Sequence, residues 1–228
     1  MLEVEVKIKI RGEDEVRRKL KELGAKPSVH LHHIDKYFDS LHPNRSFALS
    51  DEALRLRISE EFPIAQRNAE MGSTPQNHYA NIASEAIKRI DLTYKGPKES
   101  GVVKSRKEII CNLDNSEAME KILTSIGFFL RCIIDKHRDV FKIQYSSSIE
   151  VPIEVLVDHV EGLSGAYLEA EIMVPSTMEE IDKTNNAVMD KDRATEILLD
   201  FIGKLGYSAS DSITKSYLEM VLEKELNH

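Results

Sequence analysis

Residues 2–10 read Leu-Glu-Val-Glu-Val-Lys-Ile-Lys-Ile, a period-two alternation that marks a β-strand. Leu2, Val4, Val6, Ile8 and Ile10 share one face; Glu3, Glu5, Lys7 and Lys9 share the other. An ordinary half-buried strand turns its polar face to bulk water. Here that face carries two carboxylates two residues apart and then an ammonium group. Carboxylates at i and i+2 point the same way and can share a hard cation. The lysine beside them can hold an anion. Such a face suits a ligand made of metal and phosphate, provided that other segments supply matching faces.

The matching faces lie further along. Residues 53–58 set Arg55 and Arg57 opposite Leu54, Leu56 and Ile58. A strand at 90–95 ends in Lys95, just before Gly96-Pro97. Lys104, Arg106 and Glu108 recur at period two in 103–113, and Lys136 and Arg138 in 130–143. Residues 166–174 set Glu169 and Glu171 opposite Leu168, Ala170 and Ile172. Short strands are also expected at 34–39 and 151–159. Strands near the two ends of the chain are acidic in pairs, and four in the middle are basic.

One α+β arrangement satisfies all these faces: a sheet curled into a barrel, with charge inside and helices covering the apolar outside. The alternative is a sandwich with every charged face in water, which is the better reading for any single strand. Acidic pairs and basic groups together favour the barrel. Isolated charges are costly to bury, whereas acid, base, ligand and metal neutralise one another.

The helices have stripes for that covering role: Val16, Leu20 and Leu23 in 13–24, and Met119, Ile122, Leu123 and Ile126 in 116–127. A third, over 192–206, aligns Ala194, Ile197, Leu198, Phe201, Ile202 and Leu205. A last helix is expected over 212–226. A strand followed by a helix ending in Leu-Gly or Ile-Gly occurs at Gly24, Gly127 and Gly206, an echo too degenerate to define a repeat. Residues 59–89 hold Pro63, Gly72 and Pro75 and little apolar periodicity. They read as a long flexible insertion, with a helical turn near 82–89, in a single domain spanning 1–228.

The 228 residues are 41% hydrophobic and 31% charged, as in soluble globular proteins. No apolar run reaches membrane-spanning length, and the first residues form a charged strand rather than a signal peptide. Two cysteines, Cys111 and Cys132, make no disulfide framework, so a cytoplasmic location is expected. A net charge of −8 argues against a nucleic-acid partner but permits a local basic cluster for phosphate.

Glu3-x-Glu5-x-Lys7 resembles the opening motif of the CYTH superfamily, the triphosphate tunnel metalloenzymes, which include class IV adenylyl cyclases and thiamine triphosphatases. Further matches follow in the family's order: Asp35-Lys36-Tyr37-Phe38-Asp39, Leu54-Arg55-Leu56-Arg57, Leu92 through Pro97, Arg106-x-Glu108 and Lys136-x-Arg138. Asp158 through Leu163, Tyr167-Leu168-Glu169-x-Glu171 and Lys215 through Glu219 complete them. The Lys95-Gly96-Pro97, Val160-Glu161-Gly162-Leu163 and Ser216-Tyr217 elements look closest to the cyclase-like branch.

The resemblance implies an eight-stranded antiparallel tunnel that takes a triphosphate and Mg²⁺ or Mn²⁺. By position it makes Glu3, Glu5, Asp158, Glu169 and Glu171 metal-side groups. It assigns Lys7, Arg55, Arg57, Lys95, Arg106, Lys136 and Arg138 to phosphate, with Glu5 and Lys7 as catalytic residues. It also implies a homodimer. Two departures stand out: Ile110 occupies a position where many members carry another glutamate, and the 59–89 stretch is longer than usual.

The implied reaction is ATP to cyclic AMP and pyrophosphate. The alternatives are hydrolysis of tripolyphosphate or thiamine triphosphate, and non-catalytic binding of a polyphosphate. Lys7 with a lowered pKa could help deprotonate an attacking water. No base-reading motif is evident.

His30, His32 and His33 resemble a metal cluster, but His32 and His33 face opposite ways on a strand, which favours an edge or loop position over a zinc site. Tyr37, Tyr94 and both cysteines read as packing or hydrogen-bonding residues. The acidic stretch 219–225 reads as the solvated face of the last helix, and Lys215 as solvated or at the tunnel mouth.

Overall fold

A computed structural model describes residues 2–42, 44–63, 86–98, 104–146, 150–174 and 189–226. Eight strands form a closed barrel: β1 Leu2–Lys9, β2 Lys26–Ser40, β3 Ala53–Pro63, β4 Ile87–Lys95, β5 Lys104–Leu113, β6 Phe128–Ser146, β7 Glu150–Val160 and β8 Tyr167–Val174. Around the wall they run β1-β5-β4-β3-β2-β6-β7-β8, and β8 pairs with β1. Every pairing is antiparallel.

β1 carries the inside-out alternation predicted for it. Val4, Val6 and Ile8 are fully buried, yet so are Glu5 and Lys7 on the opposite face. The apolar face lies under helices α1 (Glu13–Glu22) and α4 (Lys191–Lys204). Val16 and Leu20 of α1 join Ile197, Leu198, Phe201 and Ile202 of α4 in one core with the outward residues of β1, β7 and β8. A second cluster seats Phe38, Leu54 and Leu56 against Phe47 of α2 (Phe47–Ser50) and Leu123 of α3 (Ser116–Ser125). A third packs α5 (Tyr217–Leu226) on Ile134, Val160 and Tyr167. Among the described residues, no helix is long and apolar enough to cross a membrane.

Local chemistry sets the helix ends. Asn115 caps α3 by accepting from the Ala118 N–H, and Asp190 caps α4 by accepting from the Arg193 N–H. Gly24, Gly127 and Gly206 all take positive φ after α1, α3 and α4. The recurring Leu/Ile-Gly echo is thus a shared helix stop, because only glycine enters that conformation without steric cost.

Several sequence boundaries are corrected. β2 begins at Lys26, not 34, and β6 spans Phe128–Ser146. β3 runs to Pro63 and β4 starts at Ile87, so both ends of the expected 59–89 loop are paired strand. The rest of that insertion, 64–85, lies outside the described residues. The last helix starts at Tyr217 rather than 212, preceded by a short 3₁₀ turn at Ala209–Asp211. Cys111 is exposed rather than packed, while Cys132 is buried.

Candidate active site

Inward residues of seven strands, all but β7, converge with Ser216, Tyr217 and Leu218 on a cavity of about 230 Å³. Seven cationic side chains line it: Lys7, Arg55, Arg57, Lys95, Arg106, Lys136 and Arg138. Five carboxylates do as well: Glu3, Glu5, Glu108, Glu169 and Glu171. Pairing in the sheet explains the placement. Glu5 lies opposite Glu171 and Lys7 opposite Glu169 across β1 and β8, and Glu3 lies opposite Arg106 across β1 and β5. The charges form an acidic wall on β1 and β8 and a basic wall on β3–β6.

The acidic wall has two parts. Ligand oxygens of Glu3, Glu5 and Glu171 all lie within 4.8 Å of one another. Desolvation inside the wall, and then Glu3, hold Glu171 well above the usual carboxylate range. Three clustered carboxylates with one reluctant to ionise fit a divalent cation, whose charge removes their mutual repulsion. Glu169 and Asp158 are engaged differently. Glu169 binds Lys7 at 3.0 Å and also Arg138. Asp158 is fully buried, clamps Arg138 with both oxygens at 2.6 Å and accepts from the Tyr217 hydroxyl at 2.8 Å. Both were expected on the metal side; here they pair with Lys7, Arg138 and Tyr217.

The basic wall is braced from behind. Asp35 grips Arg57 through Nε and Nη2 at 2.5 and 2.7 Å. Burial alone would raise the Asp35 carboxyl, but the Arg57 guanidinium outweighs it and holds the group well below the usual range. Arg55 donates to Thr93 at 3.2 Å, and Lys95 pairs with Glu108. Burial, then Arg138, push the Lys136 ammonium down to about 7.

Tyr217 closes one side of the cavity. Its ring sits 4.1 Å from the Lys7 ammonium and 5.2 Å from that of Lys136. The segment before it is stitched to β1: the Ile213 N–H donates to the Lys7 carbonyl, and the Lys7 ammonium donates to the Lys215 carbonyl. The Lys215 side chain itself is exposed and paired with Glu223. Glu219 is tied to Lys98 at 2.6 Å and to Ser216, so it anchors α5 rather than belonging to a solvated face.

All twelve sequence-predicted site residues face this interior or, for Asp158, stand directly behind it. The site selection missed Asp35, Glu108 and Tyr217, although each lies in a quoted motif; their partners sit on other strands. Ile110 lines the cavity, so the expected carboxylate is absent from the wall itself. Tyr37 also lines it, whereas Tyr94 bonds Glu52 and packs outside.

A closed eight-stranded barrel with this charged lining matches the CYTH domain model over residues 1–217. The chain belongs to the CYTH domain family. A Methanocaldococcus jannaschii protein provisionally named an adenylate cyclase is 30% identical over 220 residues, covering 96% of this chain and 98% of that protein. Among solved structures, the PH1819 protein of Pyrococcus horikoshii aligns with a TM-score of 0.68 at 28% identity, covering 97% of this chain and 99% of that one. A Hippeastrum protein provisionally named an adenylyl cyclase, and described as revealing a dominant triphosphatase activity, aligns with a TM-score of 0.56 over 97% and 95% of the two chains. Its 15% identity makes that a likeness of fold alone.

Proposed function

We propose that this CYTH protein is a metal-dependent enzyme acting on a triphosphate, with conversion of ATP to cyclic AMP and pyrophosphate as the leading reaction. The observation that carries the triphosphate reading is the division of one enclosed cavity into a carboxylate cluster and a wall of cations. The nucleotide reading is supported by the named relative that is 30% identical over nearly the full chain.

Glu3, Glu5 and Glu171 would hold Mg²⁺ or Mn²⁺, which would supply positive charge to offset that of the triphosphate. The remaining steps belong to the chain. Arg55 and Arg106 offer guanidinium donors to phosphate oxygens, Arg57 and Arg138 keep Nη1 for them because Nε and Nη2 are held by Asp35 and Asp158, and Lys95 and Lys136 add point charges. Asp35 and Asp158 fix the planes of Arg57 and Arg138, so orientation is set before the substrate arrives. Lys7, between Glu5 at 3.6 Å and Glu169 at 3.0 Å, is the cation set among the carboxylates of the acidic wall, where it would act on the end of the triphosphate nearest the metal.

Hydrolysis of a polyphosphate end is the second reading. Among the described residues lining the cavity there is no Asn or Gln amide to read a base edge.

Incubation with Mg²⁺ or Mn²⁺ and ATP, followed by product separation, tests both. Cyclic AMP with pyrophosphate supports the first reading. Orthophosphate from tripolyphosphate without cyclic AMP supports the second, and no turnover of either compound overturns both. Glu5→Gln should lower turnover by about 100-fold or more, because a metal ligand contributes several kcal/mol to the transition state. Its circular dichroism should remain that of the parent. Undiminished activity in this variant would remove Glu5 from the metal site.

A further inference from the structure

The outer wall of the barrel carries a second constellation that the tunnel chemistry does not use. Lys136 and Arg138 face the cavity, so Asp135, His137 and Asp139 of β6 project to the opposite side. His32 is the cross-strand partner of His137, and His30 of Asp139. β2 is paired with β3 on one side and β6 on the other, so these histidines occupy the middle of the sheet rather than an edge or loop. The neighbour that completes the group, His137, is a hundred residues away along the chain.

We propose that His32, Asp135 and His137 form a second metal site, on the outside of the barrel, for a borderline divalent ion such as Zn²⁺ or Co²⁺. Their ligand atoms all lie within 4.8 Å of one another, and all three side chains are partly exposed. The His32 and His137 rings stack at 4.5 Å with a 10° tilt, and His32 Nε2 lies 2.9 Å from Asp135. Bonds of about 2.0–2.2 Å to one ion require the two stacked rings to turn about their side-chain bonds so that a nitrogen of each converges on it. Three protein ligands leave room for water at a fourth position. Two imidazoles and a carboxylate suit Zn²⁺, Co²⁺ or Ni²⁺, whereas the all-carboxylate cluster in the tunnel suits Mg²⁺ or Mn²⁺.

The surroundings resemble the supporting layer of a metal centre. His30 is buried, with Nδ1 at 2.7 Å from Asp139 and Nε2 at 3.3 Å from His137 Nδ1. Asp139 is in turn held by Arg17 at 2.6 Å. This carboxylate–histidine relay fixes the orientation of the His137 ring, as outer partners do for ligating histidines. Glu60 stands 3.5 Å from His32 Nδ1 and adds negative charge.

The test is a Co²⁺ titration of the full chain without a polyhistidine tag, in excess Mg²⁺ to fill the tunnel carboxylates. One equivalent of Co²⁺ should bring visible d–d absorption, and Zn²⁺ should bleach it by displacement. His32→Gln and Asp135→Asn should each weaken binding by about tenfold or more, while Glu5→Gln should leave the spectrum unchanged. Thermal melts confirm that each variant is folded. Absence of the bands from the wild-type chain at about millimolar Co²⁺ overturns the proposal. Bands that survive both outer substitutions but vanish in Glu5→Gln overturn it equally.

Discussion

Lys136 shows how one residue reports on the tunnel. An exposed lysine titrates near 10.5; this one, buried beside Arg138 and 3.9 Å from Asp158, is pushed down to about 7. Between pH 7 and 10.5 the unfolded chain therefore binds more protons than the folded chain at this position. Its burial costs most stability below pH 7, and the cost is relieved as pH rises toward 10.5. A polyanion in the tunnel reverses the preference and favours the charged ammonium. Above pH 7, tripolyphosphate binding should thus take up a proton, and affinity should rise as pH falls toward 7. Calorimetry in two buffers of different ionisation enthalpy measures that uptake, and Lys136→Met should reduce it. Uptake that persists undiminished in the variant would assign the proton elsewhere. The membership of Lys136 in the site was legible from its period-two partner Arg138. Its pKa was not, because the groups that set it come from β2, β3, β6 and β7.

At the scale of elements, α4 shows why the barrel can be charged inside. Its apolar stripe was plain in the sequence, and the structure seats it on β1 and β8. Phe201 is fully buried and meets Tyr145 edge-on at 5.3 Å. Phe201→Ala should cost about 3–5 kcal/mol, from lost transfer energy and the cavity left behind. Chemical denaturation measures it, and a loss below about 1 kcal/mol would show that α4 contributes little to holding the wall. The strands were read too short. β2 is fifteen residues long, and its first part holds a proline and three histidines without apolar alternation. Nothing local marks Lys26–His33 as strand; pairing on both sides makes it one. The helix ends, by contrast, were legible from Gly24, Gly127 and Gly206, because positive φ is a local requirement.

For the whole molecule, closure of β8 on β1 brings carboxylates from opposite ends of the chain together. Glu171 then holds its proton more tightly than in the unfolded state. As pH rises above 4.5 the unfolded chain releases that proton while the folded chain keeps it, so this group lowers stability as pH rises. A bound divalent ion should remove the penalty. Mg²⁺ at about 100 times its Kd should add about 2.7 kcal/mol, a rise in Tm of about 5–10 °C that chelation reverses. Glu171→Gln should melt higher than the parent without metal and gain little from Mg²⁺. A variant that gains as much as the parent would place the ion away from Glu171.

Period-two patterning was enough to specify the barrel and most of the charged side chains that line its cavity. Alternation at period two assigns a side chain to a face, and charge on one face of six strands favours a barrel closed around it. Which charges meet one another emerges only from the folded chain. Glu3, Glu5 and Glu171 converge on one point, Glu169 and Asp158 are occupied by Lys7 and Arg138, and His32 meets His137 on the outer wall. Those assignments depend on cross-strand register, which pairs residues far apart in the chain and leaves no trace in either strand read alone.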